Sequence, residues 1–153
     1  MTGIRNETPQ ASDLDGLVCF AVYSAGHALN RVYKPLLDAL GLTYPQYLVM
    51  LLLWAKDGQT VGDLGEKLFL ESSTLTPLLK RLEAMGYVSR NRDPIDERLV
   101  RARLTAGGAD LQAKARTIPG CILQATGMPL EALLRLQTEI ATLRDSLLYQ
   151  LAK

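Results

Sequence analysis

The chain has 153 residues, 48% of them hydrophobic, and a formal net charge of +1 at pH 7. This length suits one compact domain, or a small domain with a dimerisation element. No apolar run approaches the ~20 residues that a membrane-spanning helix requires. The start of the chain also lacks the apolar core of a secretory signal. We therefore expect a cytoplasmic protein with no membrane partner, and we interpret residues 1–12 as a flexible tail.

The cysteine and histidine content argues against a metal centre. Cys19 and Cys121 are the two cysteines, they lie far apart in the sequence, and there is a single histidine. A structural disulfide is not expected in a reducing cytosol. Without a CxxC pair, the residues also lack the spacing of a structural zinc site. We predict no metal, no cofactor and no catalytic residues.

The first part of the chain predicts a long helix. Apolar residues recur every three or four positions from 13 to 40, which is the pattern of an amphipathic helix. Ser12 or Asp13 would provide its N-terminal cap. The prediction is a helix of many turns with one continuous apolar face.

Residues 43–105 predict a winged helix-turn-helix. In this architecture one helix enters the DNA major groove, and a basic hairpin reaches the minor groove beside it. A helix from Thr43 or Tyr44 is apolar nearly all round, so we expect it to be buried. A short helix follows, in which Thr60 and Asp63 form a capping box, and after a turn at 70–72 a second helix is capped by Ser72. Two wing strands are predicted at 87–90 and 99–104, joined by the polar loop 91–98.

The C-terminal part predicts two more helices. Thr105 would cap a helix over about 106–118, Pro119-Gly120 would interrupt it, and a last helix would run over about 129–150. The predicted fold class is therefore mainly α with a small β-wing, in a single domain over 13–153. The helical regions at about 13–40 and 106–150 are too apolar for the winged helix alone to cover. We expect them to pair as the dimerisation region of a homodimer, which places two winged domains on successive half-sites of DNA.

Local charge supports double-stranded DNA as the partner. Between Lys80 and Arg103 there are seven basic residues against four acidic ones, and local charge rather than the total sets phosphate attraction. Hydroxyl groups of the second helix can contact bases or phosphates, while Lys80 and Arg81 are expected on phosphates. Arg98 should enter a narrow, A·T-rich minor groove. The candidate DNA-binding residues on this reasoning are Ser72, Ser73, Thr74, Thr76, Lys80, Arg81, Arg90 and Arg98, and we expect half of the wing arginines 90, 92, 101 and 103 to be solvated.

Four stretches carry a resemblance that covers nearly the whole chain. They are LVCFAVYSA at 17–25, YKPLLDALGLTYPQYLVMLLLW at 33–54, SSTLTPLLKRLEAMGYVSRNRDPIDERLVRARLT at 72–105 and IPGC at 118–121. Through them the chain resembles the MarR family of bacterial repressors, and its organic-hydroperoxide-sensing (OhrR) branch in particular. The resemblance implies a repressor that binds a pseudo-palindromic operator. It also implies that Asp96 orients Arg98 through a salt bridge, which adds Asp96 to the DNA-binding residues.

The resemblance also gives the cysteines a role. Residue type alone favours a buried core position for an isolated cysteine. The resemblance instead implies that Cys19 is a peroxide-reactive thiolate, hydrogen-bonded by tyrosines of the partner subunit. Tyr33 and Tyr44 occupy the matching motif positions, and Tyr23 is a further candidate. Oxidation would give a sulfenic acid at Cys19, which Cys121 of the other subunit would resolve as a disulfide. Alternatively a small cellular thiol reacts with the sulfenic acid, and Cys121 is a spectator.

Two other functions remain open from the sequence. Many MarR relatives bind phenolic or aromatic acids in the dimer cleft, and in such a repressor Cys19 would be incidental. A thiol peroxidase would use the same reactive cysteine, activating tyrosines and resolving cysteine. The winged helix argues against an enzyme, because a peroxidase does not need one.

Overall fold

The computed structural model describes residues 14–153, which divide into two compact units, one ending at Lys114 and the other running from Ala115 to Lys153. The predicted tail and the predicted caps Ser12 and Asp13 lie outside the described residues. Within the described part, no helix is both long and apolar enough to cross a bilayer.

The elements confirm the predicted fold class, mainly α with a small β-wing. A 3-10 turn at Leu14–Gly16 precedes the first helix. The first unit contains helices α1 (Val18–Asp38), α2 (Tyr44–Ala55), α3 (Val61–Leu68), α4 (Ser72–Ala84) and α5 (Ala106–Ala115, ending at the boundary), with strands β1 (Gln59–Thr60), β2 (Val88–Arg92) and β3 (Val100–Leu104). The second unit contains α6 (Ile118–Thr126) and α7 (Leu130–Leu151).

The start of α2 follows from its sequence. Thr43 is the cap: its Oγ1 accepts from the Gln46 main-chain N–H at 3.4 Å, and the Gln46 side chain accepts from Thr43 N–H at 2.9 Å. Pro45 lies in the first turn, where its missing N–H costs nothing. The prediction that α2 is buried all round is wrong. Leu51 is 38% exposed, because the rest of the unit covers only one face of the helix.

The core of the first unit lies between α2, α3, α4 and the sheet. Each leucine that leaves water there contributes ~1.5–3 kcal/mol. The fully buried side chains are Val49, Met50, Leu53, Leu64, Leu75, Leu79, Leu82, Val88 and Ala102. Three leucines of α4 belong to this set, so the core fixes which face of α4 points outward.

The short helix α3 and the turn after it are shaped by local contacts. Thr60 Oγ1 accepts from Asp63 N–H at 3.0 Å, which is the half of the predicted capping box that forms among the described residues. Phe69 ends the helix in the left-handed region, with φ of 56°. Gly65 is needed in α3, because a Cβ there would stand 2.7 Å from the main-chain oxygen of Leu70.

Helix α4 begins one residue earlier than its predicted cap requires. The cap is Glu71, and Ser72 is already helical. The main-chain oxygen of Glu71 accepts from the N–H groups of both Thr74 and Leu75 at 3.0 Å, which starts the helix without a side-chain cap. The prediction that Ser72 is the cap is therefore wrong by one position.

Three antiparallel strands form the sheet, in the order β1-β3-β2. Ala102 at the centre of β3 pairs with Gln59 on one side and Arg90 on the other. We call β2, β3 and the loop 93–99 between them the wing. The predicted wing strands are confirmed, whereas β1 was not predicted.

The C-terminal helices differ from the prediction in one place. Helix α5 ends at Ala115 and α6 begins at Ile118, so the interruption precedes Pro119-Gly120. Pro119 lies in the first turn of α6, a position that suits proline. Thr105 does cap α5, since its Oγ1 accepts from the Gly108 N–H at 3.0 Å.

Long apolar helix faces are exposed in the single chain. Only Leu37 is buried among the residues of α1, and α7 has no buried residue. Leu130, Leu134 and Leu147 of α7 are each more than half exposed. Surfaces of this length and character are normally covered by a partner.

Candidate functional site

The outer face of α4 carries the predicted major-groove residues. At 100° per residue, Ser73, Pro77 and Lys80 lie opposite the buried leucines, at the centre of the exposed face. Pro77 was not predicted as a site residue. Of the predicted set, Thr76 is half-buried and the exposed members are Ser72, Ser73, Thr74, Lys80 and Arg81. Helix α4 therefore presents hydroxyl groups and two cations on one surface.

At the tip of the wing, Arg98 is exposed and fixed in direction. Its side chain is 89% exposed, yet Nε and Nη2 each lie 2.9 Å from a carboxylate oxygen of Asp96. The Arg98 main-chain N–H also donates to Asp96, at 3.1 Å. These hydrogen bonds lower the pKa of Asp96, so the carboxylate stays ionised. The salt bridge that the resemblance implied is thus present.

Sequence reasoning missed Asp93, which organises the wing loop. Its carboxylate is 7% exposed, accepts from the N–H groups of Ile95 and Asp96 at 2.8 and 3.0 Å, and pairs with Arg101. The Arg101 side chain and these two N–H donors lower the pKa of Asp93 to about 2. Arg101 also donates to the main-chain oxygen of Gly58 at 2.8 Å, which ties the wing to the turn before β1. The available signal was the pair Asp93-Pro94, a typical turn start.

The predicted DNA contact Arg90 faces the protein. Its side chain is 21% exposed and lies 3.2 Å from a carboxylate oxygen of Glu83 on α4. The Arg90 main-chain N–H donates to the same carboxylate at 2.9 Å, and both bonds lower the pKa of Glu83. Arg90 therefore fastens the wing to the C-terminal end of α4.

Cys19 is an exposed free thiol in the first turn of α1, at the second helical residue. The N-terminus of a helix favours a negative charge, and the first turn of α1 contains no acidic residue. Tyr23 lies one turn further along, is 65% exposed, and packs edge-on against His27 with ring centroids 4.5 Å apart. Cys19 is thus accessible to a solute or to a partner subunit.

Tyr33 and Tyr44 are adjacent, with ring centroids 4.8 Å apart, and Tyr47 lies 6.1 Å from Tyr33. Burial, followed by the neighbouring phenols, raises the pKa of Tyr33 to about 12, so its hydroxyl remains a proton donor. Tyr33 follows Cys19 by fourteen residues on α1, which places them about 21 Å apart along the helix. The pair therefore cannot reach the Cys19 of its own chain.

Cys121 is also an exposed free thiol. It lies in the first turns of α6, where its main-chain N–H donates to Thr117 at 3.1 Å. Within the described part of the chain, no group of three or more histidine, cysteine or acidic side chains is placed to hold a metal ion.

Comparison with known proteins agrees with this arrangement. Residues 31–114 match the family model described as transcriptional regulator SarA/Rot. The chain is 48% identical over 147 residues to the HTH-type transcriptional regulator TtmR of Methylorubrum extorquens, covering 96% of the chain and 74% of that protein. It is 46% identical over 134 residues to the organic hydroperoxide resistance transcriptional regulator of Bacillus subtilis, covering 88% of the chain and 91% of that protein.

Solved structures show the same fold. Reduced AbfR bound to DNA superposes with a TM-score of 0.75 at 33% identity, over 88% of this chain and 94% of that one; AbfR is from Staphylococcus epidermidis. Disulfide-formed AbfR superposes with a TM-score of 0.61 at 33% identity, over 92% and 93%. A MarR mutant from E. coli, complexed with operator DNA, shares the fold with a TM-score of 0.78 at 20% identity, over 88% and 99%. The chain belongs to the MarR/SarA family of winged-helix, DNA-binding transcriptional regulators, and within that family it is OhrR-like.

Proposed function

We propose that this protein is a repressor that senses organic hydroperoxides. A homodimer binds a pseudo-palindromic operator, and oxidation of Cys19 releases it. The observation that carries the proposal is the distance of about 21 Å along α1 between the exposed Cys19 thiol and Tyr33, which packs against Tyr44 at the start of α2. The 46% identity to the Bacillus subtilis regulator, whose name includes organic hydroperoxide resistance, supports the choice of signal.

A homodimer would bring the Cys19 thiol of one protomer to the phenol pair of the other. The exposed apolar faces of α1 and α7 supply a large surface to bury. If the α1 helices of two protomers lie antiparallel, the start of one α1 reaches the end of the other. Cys19 then meets Tyr33 and Tyr44 of the partner subunit, whose hydroxyl groups stabilise the thiolate by charge-assisted hydrogen bonds. Tyr23, one turn from Cys19, is placed to line the same pocket.

The chemistry needs only the peroxide and the two thiols. The Cys19 thiolate attacks the terminal peroxide oxygen, the O–O bond breaks, and the alkoxide leaves as an alcohol after taking up a proton. Cys19 is now a sulfenic acid. The Cys121 thiol of the partner subunit attacks that sulfur, a disulfide forms, and the sulfenate oxygen leaves as water.

In the DNA-bound form, the outer face of α4 and the wing both contact DNA. The hydroxyl groups of Ser73 and Thr76 face bases or phosphates in the major groove, and Lys80 and Arg81 hold phosphates. Arg98 enters the minor groove, in the direction that Asp96 sets. Arg90 acts indirectly, by keeping the wing at a fixed position relative to α4. The remaining α4 contacts in the proposal are Ser72 and Thr74.

Release follows from a change in the dimer. Shifting a dimer from mostly bound to mostly free requires a bias of roughly 5 kcal/mol. A disulfide that forms in only one arrangement of the subunits can supply it, because the arrangement sets the spacing of the two α4 helices. The switch therefore acts on half-site spacing and leaves the DNA-contacting residues unchanged.

Trapping the oxidised species tests this proposal. The purified dimer is treated with one equivalent of cumene hydroperoxide, sulfenic acid is trapped with dimedone for mass spectrometry, and a parallel sample is run on a non-reducing gel. We expect an adduct at Cys19 and a disulfide-linked dimer that neither Cys19→Ser nor Cys121→Ser forms. An adduct at Cys19 in the wild type, without a linked dimer, would indicate an external resolving thiol. Wild-type protein with neither product would contradict peroxide sensing.

A second candidate function is favoured by a cavity of about 420 Å³ beside α4. Pro45, Pro77 and Leu78 offer apolar walls, and the Arg81 guanidinium can pair with a carboxylate. A small aromatic acid bound there would give a ligand-released repressor. In that case Cys19→Ser protein would still lose the operator when salicylate is added and would not respond to peroxide.

A further inference from the structure

Ile95 at the tip of the wing is almost completely exposed. The residue is 96% accessible, more than any other large apolar residue in the described part of the chain. A scattered leucine on a protein surface is ordinary. A β-branched apolar side chain standing free at the end of a DNA-binding hairpin is unusual, because it gains nothing from the protein around it.

The backbone beneath Ile95 is fixed. The Asp93 carboxylate accepts its N–H at 2.8 Å, and the preceding Pro94 restricts the chain. Asp93 is buried and paired with Arg101. Since a β-branched side chain also has few rotamers, Ile95 can point in only a few directions before any ligand arrives.

The neighbourhood of Ile95 defines what it can touch. The same Asp93 oxygen also accepts from the N–H of Asp96, which in turn orients the exposed Arg98. The Ile95 and Arg98 side chains therefore project from the same short loop, whose backbone is held by Asp93. A surface that binds an isoleucine and an arginine side by side must combine negative potential with non-polar walls. A narrow minor groove fits this description, because phosphates line its rims and deoxyribose lines its sides.

We infer that Ile95 is a specificity-determining residue that packs on the floor and walls of the operator's minor groove beside Arg98. This rests on the proposed binding of the wing in that groove. At A·T pairs the floor presents only acceptors, whereas G·C pairs add the guanine N2 amino donor. An isoleucine over that amino group gives it no hydrogen-bond partner and collides with it. Ile95 thus selects A·T pairs in the operator flanks by excluding guanine.

The test uses an amino group added to the minor groove. A palindromic duplex selected from random DNA by the wild-type protein is compared with the same duplex in which flanking adenines are replaced by 2,6-diaminopurine. This keeps Watson–Crick pairing with thymine but adds the amino group. We expect the substitution to weaken wild-type binding about 10-fold per half-site. Ile95→Ala should bind the unmodified duplex about 5- to 20-fold more weakly and respond far less to diaminopurine.

Three controls separate the possible causes. Ile95→Val keeps a β-branched apolar side chain and should retain most of the discrimination. Leu99→Ala truncates another apolar residue at the end of the same loop, 39% exposed, and should leave discrimination intact. Ile95→Ala removes no charge, so the salt dependence of binding should be unchanged, whereas Arg98→Gln should reduce it.

Hydroxyl-radical footprinting of the same complexes distinguishes failure of the Ile95 assignment from failure of the proposed wing contact with the minor groove. Protection of flanking sugars by the wild type, together with the same diaminopurine penalty in wild type and Ile95→Ala, would overturn the assignment of Ile95 and leave the wing contact standing. A wild-type footprint without minor-groove protection would overturn the wing contact itself, and the assignment with it. Protection with a penalty that Ile95→Ala largely abolishes is the result we expect.

Discussion

A heterodimer of two variants, one without the thiol and one without the phenols, should contain one intact reactive site. One protomer carries Cys19→Ser, and the other carries Tyr33→Phe with Tyr44→Phe. Cys19 and Tyr33 are about 21 Å apart on one helix, and a hydrogen bond spans no more than 3.5 Å, so under the proposed function the donors come from the other chain. The one Cys19 of this heterodimer therefore still faces two intact tyrosines and should react as in the wild type.

The size of the effect follows from the bonds removed. A hydrogen bond to a charged group contributes about 1.5–3 kcal/mol, so losing both donors costs the thiolate about 3–6 kcal/mol. A better stabilised thiolate is also a weaker nucleophile, which leaves about half of that difference in the rate. The homodimer with both tyrosines replaced should thus react roughly 10- to 100-fold more slowly with cumene hydroperoxide.

The matched control places all three substitutions on one protomer and leaves its partner wild type. Its one Cys19 then faces phenylalanines and should react slowly, although the composition of the two heterodimers is the same. The assay is the loss of iodoacetamide-reactive thiol with time under excess peroxide, on heterodimers purified through two different affinity tags. A slow first heterodimer and a fast control would refute the composite site, because the donors would then lie on the same chain as the thiol.

Three further predictions concern the support of the DNA-binding surface. Gly108→Ala should lower the free energy of unfolding by about 1–3 kcal/mol, since a Cβ there would lie 2.0 Å from a main-chain oxygen of the residue before β2; the control Gly62→Ala, with 3.9 Å to its nearest neighbour, should be neutral or stabilising in urea titrations. The pKa of Asp93 is lowered to about 2 from an ordinary 3.8, so its contribution to stability is present above pH 3.8 and is lost as the pH falls toward 2. Between pH 5 and pH 2, the urea midpoint should therefore fall less steeply with decreasing pH for Asp93→Asn than for the wild type. An equal slope for the two proteins would contradict the assignment. Arg98→Ala should weaken operator binding, measured by fluorescence anisotropy, more than Arg103→Ala does, and the reverse order would mean that the wing register is wrong.

Elements with strong local signals were predictable from the sequence. Thr43, with Pro45 in the first turn, marked the start of α2, and Thr105 marked the start of α5. The period of the leucines in α4 fixed its buried face and therefore its outer one. In each case the information lies within a few residues, which is the range over which helix geometry acts.

Features that depend on distant partners were not predictable. Strand β1 has two residues and exists because Gln59 and Thr60 pair with β3, about forty positions later. The ion pair between Arg90 and Glu83 depends on how β2 packs beside α4, which no local pattern indicates. Asp93 looked like an ordinary turn residue, and its burial depends on Arg101 eight positions away.

The cysteine site shows the same limit in another form. The sequence identified Cys19, Tyr33 and Tyr44 through a resemblance, but no local pattern tells whether they meet. The structure adds the length of α1 between them, which excludes a meeting within one chain. It also places Pro119 in the first turn of α6, where the sequence suggested a break just before Cys121.

The most direct test of peroxide sensing is operator affinity before and after stoichiometric oxidation of Cys19. Binding of a labelled operator is measured by anisotropy on the reduced dimer, on the same sample after one equivalent of cumene hydroperoxide per thiol site, and again after reduction with dithiothreitol. Loss of binding that dithiothreitol restores, and that Cys19→Ser does not show, is the predicted result. Unchanged affinity after complete oxidation of Cys19 would contradict it.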